Sequence, residues 1–89
     1  MKNMRGGVPF IEVLNKGELK IKLFAPRGRD LQTPHQQDEI YVIVQGTSEF
    51  LFGDKRIKCK FGDVLFVPAK TEHRFENFSE DFATWVFFV

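Results

Sequence analysis

The sequence predicts an all-β protein, a small antiparallel β-barrel built from about eight short strands. Three observations support this class. Hydrophobic residues recur with a period of two along most of the chain, which is the repeat of a β-strand. Turn-forming Gly, Pro, Asn and Asp residues interrupt these runs at intervals of about eight to twelve residues, as in sandwiches and barrels. No long stretch of the chain carries a convincing helical period.

Two runs of the chain alternate strictly between apolar and charged residues. Residues 18–23 alternate in this way, which predicts a strand with one face in water. Residues 55–61 repeat the pattern, and the predicted strand places Ile57, Cys59 and Phe61 on its buried side. Both segments are therefore expected to cover one side of a core.

Two other runs are apolar on both faces. Residues 40–44 and 85–89 contain no charged side chain, so these strands are expected to be covered on both sides, by a second sheet or by a partner chain. The final strand, residues 82–89, is expected to lie at a sheet edge. Because an exposed apolar edge invites aggregation, covering it with a second copy of the chain favours a homodimer.

The length of 89 residues suits one domain. We expect residues 1–7 to form a flexible N-terminal segment and residues 8–89 to form a single barrel domain. The start of the chain lacks the apolar core of a signal peptide. No apolar run approaches the ~20 residues that span a membrane.

The charges of the chain are nearly balanced. Thirteen Lys and Arg residues face twelve Asp and Glu residues, and the basic side chains are scattered. This composition does not predict a nucleic-acid-binding surface. Cys59 is the single cysteine, so no internal disulfide can form and a reducing compartment is expected. We therefore expect a cytoplasmic protein whose partners are neither nucleic acids nor membranes.

The second of the two histidines lies in a patterned segment that resembles a motif of the cupins. In this family the motif is glycine, five residues, proline, one residue, glycine, two residues, histidine, three residues and asparagine. Gly62, Pro68, His73 and Asn77 match it at every spacing. Lys70 is the one departure, because it stands where the second glycine is usual.

The other histidine lies in a segment that resembles the first cupin motif, in which two histidines one residue apart precede a glutamate and a glycine. Glu39 and Gly46 have the family spacing. Counting back from Glu39 makes His35 the second histidine and puts Thr33 at the first position. Counting from the Pro-His pair makes His35 the first histidine and puts Gln37 at the second. Both alignments leave one histidine missing, and a neutral oxygen ligand or a water must fill its position.

The resemblance spans residues 33–77, about half of the chain. It implies the fold of a small single-domain cupin, a double-stranded β-helix or jelly roll. It also implies one divalent metal ion, Fe, Mn, Ni, Co or Zn, inside the barrel. The metal ligands that the resemblance implies are His35, Gln37, Glu39 and His73.

A physical argument for a metal accompanies the resemblance. Residues two apart on a strand share a face, so residues 33, 35 and 37 are expected to project together, as are Glu39 and Tyr41. If these faces and that of His73 point inward, two imidazoles and a carboxylate converge in an apolar cavity. A bare carboxylate there is costly, and a divalent cation at ~2.0–2.2 Å compensates it. For His35 alone, an ordinary core or surface position is the commoner explanation.

Three functions are compatible with these observations, because the cupin fold serves many activities. The first is a metalloenzyme of dioxygenase, isomerase or decarboxylase type that acts on a small organic molecule, with Tyr41 or Glu72 as acid or base. The second is a non-catalytic module that binds a small ligand. The third is a structural dimer with a vestigial site, which would take up no metal.

Overall fold

The computed structural model describes residues 10–28, 30 and 34–89. This part of the chain contains eight strands: β1 (Phe10–Lys16), β2 (Leu19–Phe24), β3 (Glu39–Gln45), β4 (Thr47–Phe52), β5 (Lys55–Lys60), β6 (Val64–Val67), β7 (His73–Glu76) and β8 (Ala83–Phe88). The all-β prediction is therefore confirmed. The predicted N-terminal segment, residues 1–7, and Thr33 lie outside the described residues.

The strands form two antiparallel sheets that enclose one core. The larger sheet has the order β1-β2-β8-β3-β6, and the smaller has the order β5-β4-β7. Together the two sheets form the framework that positions any internal site. Among the described residues, none belongs to a helix long and apolar enough to cross a membrane.

Aromatic side chains from both sheets fill the space between them. The Phe75 ring of β7 lies 5.0 Å from the Tyr41 ring of β3 and 4.9 Å from the Phe50 ring of β4, measured between centroids. All three residues are almost fully buried. Burial of this much ring area favours closure of the two sheets.

Strand β8 lies inside the larger sheet, so the predicted edge position of residues 82–89 is wrong. It pairs with β2 on one side and β3 on the other, and Phe87 lies opposite both Ile21 and Ile40. A strand that is apolar on both faces suits the middle of a sheet, where neighbouring strands satisfy its backbone. The edges of this sheet are β1 and β6, so the edge argument for a homodimer no longer holds.

Strand β5 departs in part from its predicted burial. Cys59 is buried as expected, but Ile57 is 43% exposed and Phe61 is 71% exposed. Strand β5 pairs with β4 alone among the described strands and forms the edge of the smaller sheet. Phe61 follows the strand in a turn. The alternation identified the strand correctly, but an edge position leaves two of its three apolar side chains partly in water.

Candidate metal centre

Glu39 begins β3 and points into the core. It pairs with Val67 of β6 and Phe88 of β8, so strands on both sides fix its backbone. Its side chain is 2% exposed, and Tyr41 and Ile43 are buried on the same face of the strand. The predicted sharing of a face by Glu39 and Tyr41 is therefore confirmed. The carboxylate is almost removed from water, where an uncompensated charge is costly.

His73 begins β7 in the opposite sheet and reaches the same place. Its side chain is 1% exposed, and its Nε2 atom lies 3.4 Å from Oε2 of Glu39. Its Nδ1 atom lies 2.7 Å from the carbonyl oxygen of Thr71. Because a carbonyl can only accept, Nδ1 carries the proton in the neutral ring and Nε2 presents a lone pair. This backbone contact holds the ring as the outer partners of metal-bound histidines do.

His35 approaches the carboxylate from the loop before β3. Its Nδ1 atom lies 3.2 Å from Oε2 of Glu39, and its side chain is 34% exposed. The ring centroid lies 4.7 Å from that of Phe88. Residues 34–38 lie outside the strands, so the expectation that residues 35 and 37 share one face of a strand is wrong. The loop nevertheless places His35 beside Glu39, with its ring packed against Phe88.

Backbone contacts fix this loop against the turn that precedes β7. The Lys70 amide donates to the His35 carbonyl at 2.7 Å. The Ala69 amide donates to Oδ1 of Asp38, also at 2.7 Å. These two bonds join the segment that carries His35 to the segment that leads to His73. The spacing of the two motifs thus produces one site.

The two motif positions Lys70 and Asn77 have backbone roles. Lys70 has a φ angle of 64° and Asn77 one of 52°, both in the left-handed region that glycine adopts most easily and asparagine tolerates. Lysine at position 70 therefore keeps the turn but carries a strain of about 1–2 kcal/mol. The Asn77 side chain donates to Oε1 of Glu49 at 2.9 Å, which is a contact of the outer surface.

Tyr41 adds a hydroxyl group to the centre of the cluster. Its hydroxyl donates to Oε1 of Glu39 at 2.9 Å and lies 3.1 Å from Nε2 of His73. The residue is fully buried. From its sequence, Tyr41 is a candidate acid or base, and the structure adds its contact with two candidate ligands. The only signal was its position two residues after Glu39 on one strand face.

The separations of the Glu39 carboxylate from the two histidines fit a metal ion. One donor atom each from His35, Glu39 and His73 lies within 4.8 Å of the others. A divalent ion ~2.1 Å from each donor in tetrahedral or octahedral geometry needs donors about 3.0–3.4 Å apart. The two separations to Glu39 Oε2, 3.2 and 3.4 Å, match that requirement. The donor set of two imidazoles and a carboxylate suits Fe, Mn, Co, Ni or Zn.

The charge distribution around His73 favours a positive species. Burial of the ring opposes protonation, but the hydrogen bonds to Glu39 and to the Thr71 carbonyl outweigh it, together with the negative charges of Glu39 and Asp30. The result is a pKa of His73 above its ordinary value of 6.5. The site therefore attracts positive charge despite its burial.

Gln37 makes a contact that differs from those of the three other candidates. Its side-chain amide donates to the backbone carbonyl of Glu18. The structure thus brings together His35, Glu39 and His73 and gives Gln37 a different contact. A role for Gln37 as a metal ligand stays a prediction, and so does the alternative at Thr33, which lies outside the described residues.

Comparison with known proteins agrees with this architecture. The sequence model of the family described as the cupin domain matches residues 20–89. An uncharacterised protein of Streptomyces coelicolor is 32% identical over 81 residues, which cover 89% of this chain and 77% of that protein. The chain therefore belongs to the cupin family.

Solved structures show the same fold. An RmlC-like cupin family protein with a double-stranded β-helix fold from Methanocaldococcus jannaschii has a TM-score of 0.78 at 18% identity, covering 90% of this chain and 77% of that one. A cupin superfamily protein from Desulfitobacterium hafniense has a TM-score of 0.75 at 23% identity, covering 90% of this chain and 74% of that one. The fold is thus the double-stranded β-helix that the motifs implied.

Proposed function

We propose that this cupin binds one divalent transition-metal ion through His35, Glu39 and His73 and uses the site to act on a small organic molecule in the barrel interior. One observation carries the proposal. Oε2 of Glu39 lies 3.2 Å from an imidazole nitrogen of His35 and 3.4 Å from one of His73. The Glu39 side chain is almost fully buried. This arrangement is the donor set of a mononuclear metal site.

The hydrogen bonds around the cluster explain why a cation fits there. With Nδ1 of His73 donating to Thr71, its Nε2 lone pair faces a lone pair of Glu39 Oε2. Two acceptors at this distance repel each other unless a proton or a metal cation lies between them. The same field that raises the pKa of His73 therefore favours a bound metal ion.

Three protein ligands leave coordination positions for a substrate or ligand. When bound, the ion would polarise a carbonyl or enolate oxygen or activate dioxygen. The chain's own residues orient the ligands: Tyr41 holds one oxygen of Glu39, and the Thr71 carbonyl holds the ring of His73. His35 is the most exposed of the three, so we propose that a small molecule enters on its side.

The cleft beside β5 is a weaker candidate for the functional site than the metal centre. It has a volume of about 430 Å³, and its lining includes Cys59 and Lys58 but no candidate metal ligand. Burial, with a smaller effect of Asp63, raises the pKa of the Cys59 thiol from 9.0 to about 11. A thiol that stays protonated at neutral pH is a poor nucleophile.

We also propose a cytoplasmic location for the protein. Cys59 is a free, buried thiol, which is compatible with a reducing compartment.

A non-catalytic binding module is the second candidate function. Its support is the missing third motif histidine, together with the contact of the Gln37 amide with Glu18. Oxygen- or substrate-dependent turnover after addition of Fe(II) or Mn(II) distinguishes the two functions. Turnover that requires the metal supports the enzyme, whereas stoichiometric metal without turnover over a broad set of small organic acids supports the module.

Elemental analysis of the purified protein, before and after reconstitution, tests metal binding itself. We expect about one Fe, Mn, Ni, Co or Zn per chain in the wild type and loss of that metal in His73→Ala and Glu39→Gln. Glu72→Gln is the matched control, because Glu72 is exposed and adjoins His73 in sequence. A wild type that stays free of metal after reconstitution would overturn the proposal and favour a vestigial site.

A further inference from the structure

The inner face of strand β2 carries two lysines beside the candidate metal centre. Lys22 lies opposite Val86 of β8, which in turn lies opposite Tyr41 of β3, and both of these neighbours are fully buried. Lys20 lies opposite the buried Phe88 in the same register. Because directly opposite residues of a sheet share a face, the two lysines project toward the barrel interior. Both residues are half-buried.

This orientation is the reverse of the one that the alternation of residues 18–23 predicts. The alternating pattern predicts that the charged face lies in water and that the apolar face covers the core. In the structure, Ile21 and Leu23 lie on the outer side of the sheet, and the two lysines lie on the inner side. Because lysine is mostly an exposed residue, two lysines on an inner face indicate a binding partner there.

The ammonium group of Lys22 lies among aromatic rings. Its Nζ atom is 5.4 Å from the ring centroid of Phe88 and 5.6 Å from that of Phe10, and both contacts are cation–π interactions. Among the residues that the structure describes, none forms an ion pair with Lys22, although the exposed Glu12 lies opposite it on β1. The rings support the positive charge without neutralising it, so the ammonium is available to an anion.

Phe88 connects this lysine with the candidate metal centre. The His35 ring centroid lies 4.7 Å from that of Phe88, so the same ring contacts a candidate ligand and the Lys22 ammonium. The ammonium is thus at most roughly 10 Å from the His35 ring, and the flexible four-carbon stem of lysine can shorten this distance. The His35 loop is also joined to the chain before β2, since the Gln37 amide donates to the Glu18 carbonyl. Lys22 therefore lies within reach of a small molecule bound at the metal.

The charges at the centre also favour an anionic ligand. A divalent ion held by Glu39 and two neutral histidines keeps an excess positive charge, because one carboxylate offsets only half of the charge of the ion. Lys20 and Lys22 add positive charge on the adjacent wall of the barrel. Opposite charges attract more strongly in a partly desolvated site than in water. An organic anion that reaches both the ion and Lys22 is therefore the ligand that this charge distribution favours.

We propose that Lys22 binds a carboxylate of the substrate, which makes the substrate a small organic acid. This inference rests on the proposed function, because another oxygen of the acid would occupy an open position on the metal. Lysine suits the role, since its ammonium offers three donors on a flexible stem. The rings of Phe10 and Phe88 offer apolar surface to the hydrocarbon part of the acid.

Calorimetric titration of the Co(II)-loaded protein with acids of different charge tests this assignment. Succinate, glutarate and adipate are each compared with the monocarboxylate that has the same number of carbon atoms. We expect at least one dicarboxylate to bind the wild type at least about 10-fold more tightly than its monocarboxylate, because the second carboxylate contacts Lys22. In Lys22→Met this preference should fall below about 2-fold, whereas the affinity for the monocarboxylate should be unchanged.

Lys16→Met is the matched control. It also removes one positive charge from the larger sheet, but Lys16 is exposed and lies opposite Leu19 on the outer face. Its preference for the dicarboxylate should therefore equal that of the wild type. Circular dichroism and elemental analysis show whether each variant keeps its strands and its metal, and Lys22→Gln replaces Lys22→Met if that variant does not fold.

The outcomes separate this inference from metal binding itself. A metal-loaded wild type that prefers none of the dicarboxylates would overturn the role of Lys22, and so would a wild-type preference in folded, metal-loaded Lys22→Met. An equal loss of preference in Lys16→Met would show a general effect of charge and also contradict the assignment. A wild type that takes up no metal would overturn the proposed function, and this inference with it.

Discussion

The Tyr41 hydroxyl lies 3.1 Å from Nε2 of His73, although the two residues are 32 positions apart and belong to different sheets. The same hydroxyl donates to Oε1 of Glu39 at 2.9 Å. One phenol thus connects a carboxylate of the larger sheet with an imidazole of the smaller. Because Oε1 is engaged, Oε2 is the oxygen that faces the two histidines. The site therefore depends on the packing of the two sheets against each other.

Substitution of Tyr41 by Phe tests this orienting role. Tyr41→Phe keeps the ring that packs on Phe75 and removes the donor to Glu39. Loss of an outer partner of a metal ligand is expected to lower metal affinity by about 10- to 100-fold. A buried carboxylate oxygen without its donor should also lower the free energy of unfolding of the metal-free protein by about 1–2 kcal/mol. Isothermal titration calorimetry and urea denaturation measure the two effects.

Thr84→Val is the control for this variant. Thr84 is a buried residue of the same sheet whose hydroxyl bonds to the Trp85 carbonyl. It also loses a buried hydroxyl, but its metal affinity should equal that of the wild type. Equal metal affinity of Tyr41→Phe and the wild type would show that Glu39 keeps its orientation without the phenol.

Metal addition should stabilise the folded protein through the same three ligands. At a free metal concentration about 100 times the dissociation constant, the free energy of unfolding should rise by about 2.7 kcal/mol. We expect no such gain in His73→Ala, and a chelator should reverse the gain in the wild type. Denaturation at one fixed protein concentration measures it, since association also shifts apparent stability. An equal gain in both proteins would place the metal elsewhere.

Much of this fold was readable from the sequence, because strands and turns leave local signals. The alternation at residues 18–23 and 55–61 identified β2 and β5. The order of strands in a sheet is a non-local property, and an apolar run such as 85–89 is compatible with either a sheet centre or a covered edge. The predicted edge position of β8 was wrong because its sequence does not distinguish these two positions. The predicted burial of Ile57 was wrong for the same reason, because alternation does not show which strand forms an edge.

The candidate site was readable where motif spacing reflects backbone geometry. Glu39 and His73 each begin a strand, and the structure brings these two motif residues together with His35. The approach of His35 depends on the loop contact between its carbonyl and Lys70, which no strand periodicity describes. The Tyr41–His73 contact joins two sheets and could not be inferred from either segment alone. The left-handed φ of Lys70 explains why glycine is usual there.

Substitution of the motif glycine Gly46 by alanine is expected to cause a large loss of stability. Its φ angle is 78°, and a Cβ atom there would meet Oγ of Ser79 and lie 2.8 Å from the Cα atom of Phe82. Left-handed strain and the backbone clash together should lower the free energy of unfolding of Gly46→Ala by about 3–4 kcal/mol. Urea denaturation measures this change.

Gly53→Ala is the matched control for Gly46→Ala. Gly53 has a similar φ angle of 60° but no atom within 4 Å of the added Cβ, so only the left-handed strain of about 1–2 kcal/mol applies. If the two variants lost equal stability, the close approach of residues 79–82 to Gly46 would have no energetic consequence.

The Cys59 thiol gives the protein a defined stability change at alkaline pH. Burial raises the pKa of this thiol from 9.0 to about 11 in the folded state, with a smaller contribution from Asp63. Below pH 9 both the folded and the unfolded chain keep the proton, so its contribution to stability is complete. Between pH 9 and 11 the unfolded chain ionises first, and the free energy of unfolding should fall.

Two measurements on Cys59 check this expectation. Alkylation by iodoacetamide at pH 8 should be much slower for the native protein than for the urea-unfolded chain, since the thiolate is the reactive form. Native alkylation should accelerate as the pH rises toward 11. In Cys59→Ala the free energy of unfolding should decline less between pH 9 and 11 than in the wild type. Native and unfolded chains that react equally fast at pH 8 would show that the thiol is neither shielded nor raised in pKa.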